Sequence, residues 1–162
     1  MKPKGFSRTQ IWLHWLVFVL VALQFVFNDF IKEAWISYVK TGDFQFNLLI
    51  AGHVIGGTVI LLLILWRLVL RKTRGVPPLP EDESPAQRAV AAGTQHTLYL
   101  LLILMPVSGL LAWFGDVQSA ASVHYYLKFA VLFLVALHVG AALYHQYVLR
   151  DGVLNKMMKP EE

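Results

Sequence analysis

The sequence predicts an all-α integral membrane protein, a four-transmembrane-helix bundle forming one membrane domain over residues 1–162 with both termini in the cytoplasm. Three observations predict it. Hydrophobic residues make up 57% of the chain and charged residues 15%, against about 45–50% and about 25% in soluble domains, and mean hydropathy is +0.56. The apolar excess gathers in four blocks, each near the ~20 residues that cross the hydrocarbon core. The basic residues fall almost wholly on one side of the spans that these blocks define.

The first span, about residues 10–28, contains IWLHWLVFVLVALQFVF. Lys2, Lys4 and Arg8 precede it as in a secretory signal, but no small-residue cleavage site follows, so it reads as a retained helix. Asn28 to Phe46 is mixed in charge and carries Trp35, Tyr38 and Phe44, the composition of an interfacial loop. The second span covers about 47–70. Lys72 to Gly93, with Pro77, Pro78, Pro80 and the acidic run Glu81, Asp82, Glu83, reads as a solvated linker. The third span is about 96–115, Gly115 to Ser122 is a short and nearly neutral connection, and the fourth span is about 123–148.

Positive charge sets the topology. Lys2, Lys4, Arg8, Arg67, Arg71, Lys72, Arg74, Arg88, Arg150, Lys156 and Lys159 lie on one side, and only Lys32, Lys40 and Lys128 on the other. The side with eleven is read as cytoplasmic. The isoelectric point near 9.4 then reflects orientation and contact with anionic membrane lipid, and offers no support for nucleic-acid binding. The chain has no cysteine, which excludes disulfides, iron–sulfur clusters and thioether-attached haem. Any metal must be held by His, Met or carboxylate.

The histidines are the chemical signal. His124, His138 and His145 are spaced 14 and 7 residues apart, and steps of seven return to nearly the same face of a helix. His124 and His138 therefore stand roughly 21 Å apart along one rod. With the topology fixed, His53 and His124 both fall in the outer half of the membrane, and His14 and His138 in the inner half. Two levels of paired imidazoles from different helices suit two six-coordinate b haems, which transfer electrons and leave no open iron position. Ionisable groups inside hydrocarbon are costly and rarely incidental. Gly52, Gly56, Gly57, Gly109 and Gly140 suit close approach of a broad ring, and equally suit helix–helix contact or a second protomer in a homo-oligomer. Arg67, Arg71 and Lys72 suit haem propionates or positive-inside anchoring. His96, opening the third span, reads as a solvated helix start. His145, on the ligand face about 10 Å below His138, reads as a proton-handling residue at a quinone site.

LHWLVF around His14, HVIGG around His53, the third-span run QHTLYLLLILMPVSG and the His138 run LHVGAALYHQY together resemble the bacterial cytochrome b-561 family over essentially the whole chain. The resemblance implies a four-helix bundle in the bacterial inner membrane. It implies two non-covalent haem b groups with His14, His53, His124 and His138 as axial ligands, and a ubiquinone partner. It also implies a functional role at His145, beside the candidate quinone residues Arg71 and Lys72. Among family members it is most like those that oxidise superoxide with ubiquinone. From these, GDVQSAAS differs by its shortness, and Lys32, Lys40 and Lys128 face Asp29, Glu33, Asp43 and Asp116 on a weakly charged outer side.

The expectation is a membrane oxidoreductase moving single electrons between an external donor, superoxide foremost, and ubiquinone. The first rival is a cytochrome b subunit serving a hydrogenase, a formate dehydrogenase or another periplasmic donor. A histidine-lined transporter is the rival of a different class; it wants carboxylates inside the spans, and none is there.

Overall fold

In the computed structural model, which describes residues 3–43, 47–78 and 84–161, five α-helices follow one another: α1 Arg8–Val26, α2 Asn28–Thr41, α3 Leu48–Arg74, α4 Pro85–Gly115 and α5 Gln118–Tyr144. The described residues contain no strand. All but α2 are long and apolar enough to cross a membrane. Of the features read from sequence, Lys2, Phe44, Pro80 and the acidic run Glu81 to Glu83 lie outside the described residues.

Boundaries differ from the expected ones for identifiable reasons. Ser7 caps α1 reciprocally with Gln10, so the helix begins at Arg8. Asn47 accepts from the Leu49 and Ile50 N–H groups and starts α3, which continues to Arg74. Ser84 and Gln87 form a second capping box with Pro85 in the first turn. That box converts the end of the expected linker into helix and makes α4 31 residues long, about 46 Å. His96 is therefore inside a helix, its Nδ1 against the Ala92 carbonyl at 2.7 Å, and does not begin one. Likewise α5 starts at Gln118, because Asp116 adopts a left-handed conformation (φ 53°) that turns the chain at once. His124 then sits in the second turn of α5 and not at its start.

The largest correction is α2, expected as a loop. Ile31, Ala34, Trp35 and Tyr38 recur at helical spacing along it, Asp29 and Lys40 suit its two dipole ends, and Gly42 (φ 73°) closes it. Trp35 packs on Trp113 near the end of α4, ring centres 6.3 Å apart, so α2 lies across one end of the bundle. At the opposite end the N-terminal arm, the segment after α3 and the C-terminal tail are tied together. Gln10 donates to the Gly75 carbonyl, Trp15 Nε1 to Met157, Lys156 to Pro78 and the Glu161 N–H to Phe6.

Packing is uneven. α5 packs on α4, α4 on α3 and α3 on α1. Val17, Ile60 and Ile64 form a small core with Tyr99, Leu102 and Ile103 against it, whereas Leu62 and Phe133 turn outward as a lipid-facing surface does. In lipid, a buried side chain stabilises chiefly through packing. Ile64→Ala, at a side chain 1% exposed, should lower resistance to denaturation in mixed micelles by about 2 kcal/mol, while Leu62→Ala should cost under about 0.5 kcal/mol.

Candidate functional site

Four histidines meet in two pairs. His14 of α1 faces His138 of α5 with ring centres 6.1 Å apart; His53 of α3 faces His124 of α5, also at 6.1 Å. The first pair lies toward the end holding the termini, the second toward α2. Within the described residues the helices that carry each pair, α1 with α5 and α3 with α5, show no extended backbone packing. Imidazoles thus approach each other across a space that the helices leave open.

α4 fixes the second pair. Pro106 has no N–H to return to Leu102, which interrupts the ladder in mid-helix. Just before it, the Met105 carbonyl receives the Ser108 hydroxyl at 2.8 Å and His124 Nδ1 at 2.8 Å. A carbonyl only accepts, so the proton is on Nδ1 and the lone pair of His124 is on Nε2. A Cβ on Gly109 would meet the His124 ring at 3.0 Å, so a side chain there would push the ring by a few tenths of an ångström. Gly56 serves the helix–helix contact that its small size suits: a Cβ there would strike the Gln24 amide of α1. Gly52, Gly57 and Gly140 face open space.

These residues fit a b haem at each level. An iron held by both imidazoles of a pair would need metal–nitrogen bonds of about 2 Å, which ring centres 6.1 Å apart allow. Among the described residues no group of three His, Asp or Glu could hold a bare metal ion; two imidazoles at each level suit an iron whose remaining donors come from its own cofactor. His53 Nδ1 is buried without a hydrogen-bond partner among the described residues, in a cavity that His124, Gly57 and Gly109 also line.

The other expected site residues are placed as follows. Arg67 and Arg71 both lie 6.0 Å from the ring centre of Tyr99 on α4, and Arg71 donates to Gln95 at 3.2 Å. Lys72 is exposed near the end of α3. His145 opens a π-helical turn, His145–Leu149, that continues α5, and its Nδ1 lies 2.5 Å from Asp151 Oδ2. Asp151 was not singled out from sequence. Six residues on, past a widened turn and a left-handed Arg150 (φ 54°), it has no periodic relation to His145.

A sequence profile of the prokaryotic cytochrome b561 family matches residues 5–160. The chain is 37% identical over 161 residues to cytochrome b562 of Cereibacter sphaeroides, covering 96% of each chain. It is 28% identical to cytochrome b561 homolog 1 of Escherichia coli K12, over 94% of this chain and 96% of that one. To the probable superoxide oxidase CybB of Yersinia pestis it is 27% identical, over 96% of each.

Burial raises the Asp151 carboxyl, but the hydrogen bonds from His145 and from the Val153 N–H outweigh it and hold the group below the usual carboxylate range. A depressed folded value contributes stability above the unfolded one and loses it as pH falls through the folded one. Melting curves taken from about pH 5 downward should therefore fall less steeply for Asp151→Asn than for the unaltered protein.

Proposed function

The chain belongs to the prokaryotic cytochrome b561 family of membrane electron-transfer proteins, and on that premise we propose that it passes single electrons from superoxide, at the outer face of a bacterial inner membrane, to ubiquinone. The observation that carries the reading is the pair of 6.1 Å imidazole contacts, one toward each end of the bundle. Positive charge at the end that holds the termini supports a cytoplasmic position for it, which puts His53 and His124 outside and His14 and His138 inside. The 27% identity to a probable superoxide oxidase supports the donor.

His53 with His124, and His14 with His138, would each hold a b haem, which when bound would supply reversible one-electron chemistry at two depths of the membrane. The Met105 carbonyl and Gly109 keep the His124 lone pair aimed at the cavity. Arg67 and Arg71, gathered around Tyr99, supply fixed positive charge toward the inner level, suited to carboxylates of the cofactor or to a reduced headgroup. Two superoxide ions, one ubiquinone and two protons become two dioxygen molecules and one ubiquinol. His145, oriented by Asp151 through Nδ1, presents Nε2 to carry those protons, with Lys72 at the same end.

A second reading has its own support: the higher identity is to a cytochrome b562, and the connection between α4 and α5 is only Asp116 and Val117. In that reading a periplasmic redox protein donates the electrons. Quinone reduction by superoxide in purified protein decides between them; its absence, with reduction by a copurifying donor, selects the second.

Purified with ample haem supply, the chain should show b-type reduced-minus-oxidised bands at two haems per polypeptide. Gly109→Ala should lose or shift one of the two, since the added methyl displaces His124. Bleached protein, or one haem in intact protein, would overturn the assignment. His145→Ala should slow quinone reduction roughly 10-fold or more with both haem spectra unchanged.

A further inference from the structure

The cavity at the His53 and His124 level carries two cations. Lys32 of α2 and Lys128 of α5 both line it, and no described carboxylate does; the other polar groups of the lining are those of Gln24, Thr58, Tyr125, the two tryptophans and the two imidazoles. Lys32 is on the face of α2 that also turns Ile31 and Trp35 to the cavity. Lys128 is one helical turn deeper than His124 and reaches back, its Nζ 4.8 Å from the centre of the Tyr125 ring and 5.1 Å from that of Phe129. That direction follows from helix geometry, in which side chains lean toward the N-terminus, and it returns the charge to the level of His124.

Lys32 is exposed and Lys128 half-buried, and two ammonium groups bordering one largely apolar cavity form a favourable place for a group with two carboxylates. A b haem held by His53 and His124 would bring two carboxylates to this cavity. We propose that Lys32 and Lys128 hold the two propionates of the haem clasped by His53 and His124. The assignment rests on the haem reading above and deepens it: one lysine comes from α2, so this helix, beyond covering the end of the bundle, belongs to the cofactor site. Charge-assisted bonds from both lysines would fix the rotation of the ring about the axis joining the two imidazoles, which axial ligation alone leaves free.

Transfer of haem from the intact protein to apomyoglobin tests this without reference to turnover. Lys32→Gln and Lys128→Gln should each speed release of one of the two haems roughly tenfold, leave the other unchanged and lower the midpoint potential of the affected one. Lys→Arg at either position should restore slow release. Protein reconstituted with haem dimethyl ester should release that haem as fast as the double Gln variant, and the substitutions should then add nothing. Unchanged release from the Gln variants, or an equal effect of the substitutions on esterified haem, would overturn the proposal. Slower use of superoxide with unaltered release and potential would also overturn it and make the lysines an entry route for the anion. Fewer than two haems in the unsubstituted protein would instead sink the haem reading itself, before any lysine is changed.

Discussion

The organising constraint is that imidazoles from helices that do not pack on each other must meet at two heights, with ring centres 6.1 Å apart at both. In a bilayer the hydrophobic effect does not press helices together, so contact depends on close packing and on polar groups that satisfy one another. Here close packing runs through α4: it touches α3 on one side and α5 on the other, while α1 reaches the assembly through α3. α4 contributes no member of either pair. Its part is to space the helices that do.

That role accounts for details of α4 that would otherwise be defects. A proline in mid-span, a serine bonded back to its own helix and a glycine where a side chain would be expected all converge on His124. The Met105 carbonyl at 2.8 Å sets the tautomer and the Gly109 gap sets the position of the ring. Among the described residues His53 has no such partner on Nδ1, so the two members of one pair are held to different degrees. The difference lies in the surroundings of the rings and not in the helices that carry them.

Much of this was legible beforehand because it follows from length and period. Four spans, and histidines falling at two depths, need only the apolar blocks, a rise of 1.5 Å per residue and the direction of each crossing. The lower-contrast features escaped. α2 was taken for a loop because its charges mask a short amphipathic period, although Ile31, Trp35 and Tyr38 carry it. The start of α4 was obscured by nearby prolines, while the Ser84–Gln87 capping box that decides it was readable. The pairing of His145 with Asp151 depends on a π-helical turn and a left-handed Arg150, and no periodicity foretells those. For Gly56 both ring approach and helix–helix contact were open, and the neighbour it admits is Gln24 of α1.

The ties at the termini end have a consequence for assembly in the cell. Trp15 Nε1–H reaches a carbonyl 142 positions later, and the Glu161 N–H returns to Phe6. During synthesis the first helix enters the bilayer long before those partners leave the ribosome, so this surface stays unfinished until the segment after the fourth span has emerged. The molecule thus closes into a ring only after its last crossing has been threaded. A chain stalled before that point leaves the indole of Trp15 and the Phe6 carbonyl without those partners, so the open end itself marks it as incomplete.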